Sequence, residues 1–187
     1  MSVTTLDPTV ALVVIDLQQG IVASPAAHPV AGLIANARTL ADAFHRHRLP
    51  VVLVTVAGGA PGRTEQAPNR GGFPANWADL VPELAPQPGD HTVTKRTWGG
   101  FTGTGLEAHL RAQEVTQVVI AGIATSIGVE STARQAHELG FNVTLAIDAM
   151  TDRSADAHLN SLTRIFPRLG ETGTTPEIVA HLEQAHA

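Results

Sequence analysis

Two charged residues stand where a parallel sheet would put its chemistry. Asp16 closes the apolar run Val10 to Leu17 (VALVVIDL), and Lys95 closes the alternating stretch His91 to Lys95 (HTVTK). A strand buried on both faces reads as such an unbroken apolar run, and the polar residue at its C-terminal end lies where open α/β sheets bind ligands. A third element joins them. The apolar run Val118 to Ala121 is broken by Gly122, and from Ser126 onward Val129, Thr132, Ala133 and Ala136 recur at helical spacing. A strand, a tight turn and a helix in this order aim the first free N–H groups, near Ser126, Ile127 and Gly128, at the same sheet edge. A carboxylate, an ammonium and an amide cradle suit proton transfer beside an anion or a developing oxyanion. Each also has a plainer use: Asp16 in an Asx turn or helix cap, and the Gly122 turn as a crossover with no ligand.

The elements that must position these residues alternate along the chain. Leu33, Ile34, Ala37, Leu40, Ala41 and Phe44 predict an amphipathic helix over 30–48, and Val51 to Val56 (VVLVTV) a second apolar strand, completing a βαβ unit. The proline- and glycine-rich segment 58–90 is longer than an ordinary connection and is expected to be a lid or binding loop. Trp77 within it needs a place to bury its ring, under the loop or over a ligand. Arg96 to Gly103 (RTWGGFTG) carries Trp98 and Phe101 in a glycine-rich loop, followed by a helix over 104–113. After the central turn come a strand over 142–147 ending in Asp148, a helix over 154–166 with Ala157, Leu162 and Ile165 inward, a short strand over 169–172 and a final helix announced by Thr175, Pro176 and Glu177.

Composition narrows the function. The 187 residues are 43% hydrophobic, enough for one α/β domain over 1–187, and the net charge of -5 with no basic run argues against nucleic acid. Without cysteine there is no disulfide, thiolate metal site or cysteine nucleophile. The first ten residues lack a signal-peptide pattern and the apolar strands are too short to span a bilayer, so a cytoplasmic protein without membrane contact is expected. No metal-ligand spacing or nucleotide fingerprint occurs, and no metal or other cofactor is expected.

Asp16 between VVI and LQ, Lys95 in KRTWGGF, and the turn AGIATSIGVESTA, in this order, resemble the isochorismatase-like hydrolase superfamily over about 10–182. The resemblance implies a three-layer α/β/α sandwich around a six-stranded parallel sheet. It also implies an aspartate, lysine and cysteine triad, of which the first two carry over to Asp16 and Lys95. The cysteine does not. Against the family pattern G-[VI]-x-T-x-x-C-V, Gly122 to Val129 reads GIATSIGV, with Gly128 in the thiol position. The metal-binding residues of nicotinamidases are likewise missing from 57–64. The glycine turn followed by VESTAR is similar to a bacterial subgroup, and glycine at this place also occurs in a phenazine-pathway enzyme that hydrolyses a vinyl ether with an aspartic acid as proton donor.

What the resemblance implies for the site follows residue by residue. Asp16 is the general acid or base, Lys95 orients it and holds an anionic substrate, and the N–H groups of Ala124 and Gly128 form the cradle. Trp77, Trp98 and Phe101 wall the pocket, with Gln18, Ile123 and Thr125 also on the substrate side. A non-proline cis peptide is implied at Ile123–Ala124, and self-association through the pocket edges near Gly99, Gly100 and Phe101. The expected function is hydrolysis of a small, anionic substrate without a cysteine nucleophile. The alternative is a non-catalytic ligand-binding or interaction protein on the same scaffold.

Overall fold

The structure, a computed structural model, describes residues 2–65 and 73–186. Six strands form one parallel sheet: β1 (Val10–Ile15), β2 (Val51–Val56), β3 (His91–Lys95), β4 (Gln117–Ile123), β5 (Asn142–Thr151) and β6 (Glu171–Gly173), in the order β3-β2-β1-β4-β5-β6. The α-helices are α1 (Gln19–Val22), α2 (Val30–Arg46), α3 (Leu106–Ala112), α4 (Glu130–Glu138), α5 (Ala155–Asn160) and α6 (Thr175–Ala185).

The period of two in β1 distributes its side chains between two cores. Val10, Leu12 and Val14 face the layer built by α2 and α6, with Leu40, Phe44, Ile178 and Leu182. Ala11, Val13 and Ile15 face the layer built by α3 and α4, with Leu106, Leu110, Val129 and Ala133. Both faces of the sheet are therefore dry, which is why its strands read as continuous apolar runs and why the fold is a three-layer α/β/α sandwich. Chain direction across the sheet reverses between β1 and β4, registered from Val10 against Gln117 to Ile15 against Gly122. That switch opens a crevice at the carboxyl ends of the two strands.

Several boundaries differ from the sequence expectation. Gly122 does not end β4; it lies inside it at φ 123°, where a Cβ would sit 2.0 Å from the Ile15 carbonyl oxygen, so only glycine lets the two strands run on together. β5 continues past Asp148 to Thr151 after a shift in register against β4 between Ile120 and Gly122. The helix expected over 154–166 is α5 followed by a π turn over Ser161–Ile165 and a 3-10 turn over Phe166–Arg168. His158, Ser161 and Phe166 are buried along this segment, and Leu162 and Ile165 are partly buried and pack against the core on the α3 and α4 side, as expected. Thr174, not Thr175, caps α6, in a reciprocal pair with Glu177. The expected lid over 58–90 holds a 3-10 turn at Pro82–Leu84, and its residues 66–72 lie outside the described residues.

Candidate active site

At the end of β1 the backbone of Asp16 turns left-handed, at φ 54°, a conformation an aspartate tolerates better than most side chains. The turn takes its carboxylate off the strand direction toward Lys95 at the end of β3. Lys95 Nζ donates to Asp16 Oδ2 at 2.7 Å, with Lys95 2% and Asp16 5% exposed. Asp16 Oδ1 is buried with no hydrogen-bond partner among the described residues. Removal from water favours the neutral acid, and it outweighs the pull of the Lys95 ammonium and its hydrogen bond, so the Asp16 pKa is pushed up from 3.8 to about 6.

These two residues border a cavity of about 300 Å³. The turn after β4 forms its second side. The Ile123–Ala124 peptide bond is cis, and the chain then enters a π turn over Thr125–Val129 that runs into α4. Within that turn Gly128 faces Asp16: a Cβ there would lie 3.2 Å from Asp16 Oδ2, 3.0 Å from Ile15 Cγ2 and 3.4 Å from the Ile123 carbonyl oxygen. A side chain in this position would occupy the space beside the carboxyl group. Val56, Trp77, Trp98, Ile123, Ala124 and Ile127 supply much of the remaining wall.

An apolar cavity at the switch point, floored by a lysine-held carboxyl whose pKa is raised, has the composition of a catalytic pocket. Its ancestry is decided by comparison, since the isochorismatase domain model matches residues 10–177. The chain belongs to the isochorismatase family. Among its relatives is the uncharacterized isochorismatase family protein YwoC of Bacillus subtilis, 44% identical over 180 residues, 92% of this chain and 94% of the relative. Streptothricin hydrolase of Streptomyces noursei is 36% identical over 147 residues, 74% of this chain and 48% of that protein. The structure of an isochorismatase family protein from Burkholderia thailandensis superimposes with a TM-score of 0.93 at 43% identity, covering 97% of this chain and 100% of the other.

Within this family fold the residues expected at the site separate into two groups. Asp16, Lys95, Gly128, Ile123, Ala124, Trp77 and Trp98 all line the one cavity. Gln18, Thr125 and Phe101 do not. Gln18 is fully buried, donating from Nε2 to the carbonyls of Val56 and Trp77 and accepting from the Val56 N–H, so it fastens the pocket wall rather than facing a substrate. Thr125 is also fully buried, with its Oγ1 2.8 Å from His158 Nδ1. Phe101 packs toward Phe141, 5.9 Å between ring centroids, because the N–H groups of Gly100 and Phe101 donate to Thr132 and Gln135 and lay this loop on α4. Gly99 and Gly100 are buried in this loop and do not line the cavity.

Sequence reasoning missed Asp152, Arg153 and Ser24. Asp148, expected at a strand end, sits within β5 and accepts from the N–H and hydroxyl of Thr175, fixing the start of α6. Asp152 follows the true end of β5. Its Oδ2 accepts from both the N–H and the hydroxyl of Ser126 at 2.8 Å, its Oδ1 from the Ser154 N–H at 3.3 Å, and its carbonyl from the Ala27 N–H at 2.7 Å. One buried residue thus ties the Ser126 turn and the start of α5 through its carboxylate, and the 23–29 loop through its backbone carbonyl, around the cavity. The signal was available: Ala149, Met150 and Thr151 extend the strand-like run past Asp148.

Proposed function

We propose that this chain is a hydrolase of a small anionic substrate in which Asp16 alternates as general acid and general base, with no covalent intermediate. The observation that carries this reading is the two-sided environment of one carboxyl group. Lys95 fixes Oδ2, which also borders the space left by Gly128, while Oδ1 is buried with no hydrogen-bond partner among the described residues. Hydrolysis through a thioester or acyl enzyme needs a nucleophilic atom, and glycine has none to offer. Proton transfer needs only a carboxyl group poised near the working pH, and a pKa of about 6 keeps roughly a tenth of Asp16 protonated at pH 7.

A vinyl ether matches these means. Protonated Asp16 delivers its proton to the terminal alkene carbon, whose π electrons form the new C–H bond and leave an oxocarbenium ion. Water adds to the oxygen-bearing carbon of that ion, ionised Asp16 takes the water proton, and the hemiketal collapses to a carbonyl compound and an alcohol. Lys95 keeps the carboxyl group in place through both transfers, the N–H groups of Ala124 and Gly128 face the oxygen at which charge changes, and Trp77 and Trp98 exclude water.

The test is a turnover screen of small vinyl ethers, amides and ureas against wild type and Asp16→Asn. Turnover of a vinyl ether by wild type, reduced at least a hundredfold in Asp16→Asn, is the expected result. Saturable binding with no turnover of any of the three classes would assign the cavity to ligand binding alone.

A further inference from the structure

We infer that Arg153, with the Ser24 hydroxyl beside it, is an anion subsite that selects small planar substrates bearing one carboxylate. This inference rests on the proposal that the cavity takes a small anionic substrate, and it names the group that reads the charge. Lys95 is a poor candidate for that task, because its ammonium is 2% exposed and held by Asp16. Asp152 borders the cavity too, but both its carboxylate oxygens accept from the Ser126 and Ser154 groups already described. Arg153 is different. It is exposed, lines the cavity, and forms no ion pair among the described residues; its contact is a long 3.4 Å hydrogen bond from Nη2 to Ser24 Oγ. A guanidinium keeps its charge at any working pH and presents a planar fork that fits a carboxylate with two parallel hydrogen bonds.

The remaining chemistry of the cavity sets the rest of the ligand. Of the cavity-lining residues, Asp16 carries a buried side-chain atom, Oδ1, with no hydrogen-bond partner among the described residues, so it marks the reacting end, and Arg153 marks the charged end. Trp77 and Trp98 line the same cavity and offer flat apolar surface, the latter 64% exposed and ready to cover a ring or conjugated system. A flat monocarboxylate therefore fits, and its neutral amide analogue lacks the group that Arg153 recognises.

The sequence provides a reporter for the test. Its two tryptophans both line this cavity and it has no tyrosine, so ultraviolet-excited tryptophan emission reports this site alone. Benzoate and benzamide, nearly equal in shape and differing in charge, are the probes, titrated at pH 7.5 into wild type, Arg153→Gln and the exposed control Arg164→Gln. Benzoate is expected to change the emission saturably and to bind at least tenfold more tightly than benzamide. Arg153→Gln abolishes that preference and Arg164→Gln preserves it. The preference also shrinks with added salt, because the cation is exposed. Absence of a saturable benzoate response, equal affinities for the two probes, or an unchanged preference in Arg153→Gln would each overturn the inference. Asp16→Asn separates the two proposals. Benzoate selectivity that depends on Arg153, with turnover surviving in Asp16→Asn, removes the acid–base reading alone; loss of turnover in Asp16→Asn, with no charge preference at Arg153, removes this one alone.

Discussion

Replacing Gly128 with alanine tests whether the cavity is fitted around a missing side chain. The added Cβ would stand 3.0 Å from Ile15 Cγ2 and 3.2 Å from Asp16 Oδ2, whereas comfortable carbon contacts lie at ~3.5–4.0 Å. Neither neighbour yields easily. Ile15 is fully buried in the sheet, and Asp16 is held by Lys95 at 2.7 Å. Overpacking of this kind costs ~1–3 kcal/mol, offset by the ~0.5–1 kcal/mol that alanine gains over glycine in a helical turn. A net loss of ~1 kcal/mol follows, which for a chain of this size lowers Tm by ~2–4 °C. Gly32 in α2 is the control: nothing lies within 4 Å of its added Cβ, so Gly32→Ala is expected to gain stability. The same methyl pushes Asp16 Oδ2 off its position, and kcat/KM on a vinyl ether should fall at least tenfold, since misplacement by ~1 Å costs about a hundredfold. Thermal unfolding and steady-state kinetics read both effects. Gly128→Ala more stable than wild type and fully active would refute the fitted-cavity reasoning.

Three further outcomes are open to direct measurement. Gly128→Cys should show slow iodoacetamide alkylation at pH 7 and no amidase turnover, because the site is shaped around glycine; a fast thiol that hydrolyses simple amides would mark the wild type as a decayed cysteine hydrolase. Asp152→Ala strands the Ser126 and Ser154 N–H groups and should cost ~2–3 kcal/mol in denaturant unfolding, with Asp152→Asn milder because an amide oxygen still accepts. Asp16 itself makes stability depend on pH. Its pKa is about 6 folded against 3.8 unfolded, so its contribution is full below pH 3.8 and is lost as pH rises through 6. Relative to Asp16→Asn, wild type should therefore lose up to ~3 kcal/mol between pH 4 and pH 7, and a flat or opposite difference would show that burial does not raise this carboxyl.

The parts of the molecule set by strong periodicity were legible in the sequence. The all-apolar β1 and β2 and the helical spacing at Val129, Thr132, Ala133 and Ala136 reported burial directly, and these four residues are all fully buried. Asp16 and Lys95 were legible because each ends a strand. What escaped was set by partners distant in the chain. Asp148 and Asp152 look alike in sequence; only the register of β5 assigns one to the start of α6 and the other to the Ser126 turn. Phe101 looked like a pocket residue until Thr132 and Gln135 drew its loop onto α4. His158 was passed over for a related reason. It meets Thr125 through the π turn and stands 4.7 Å from the His28 ring, an environment that lowers its pKa by burial and by the nearby His28. Propensity carries no mark of a π turn.

The pH dependence of kcat/KM for vinyl ether hydrolysis, measured from pH 5 to 8 on wild type and Asp16→Asn, addresses the central claim most directly. If protonated Asp16 starts the reaction, kcat/KM is level below pH 6 and falls about tenfold per unit above it, along a limb centred on the pKa of about 6, while Asp16→Asn is at least a hundredfold slower and lacks that limb. A wild-type profile that is flat across this range, or an Asp16→Asn variant that keeps both the rate and the limb, would contradict acid–base catalysis by Asp16.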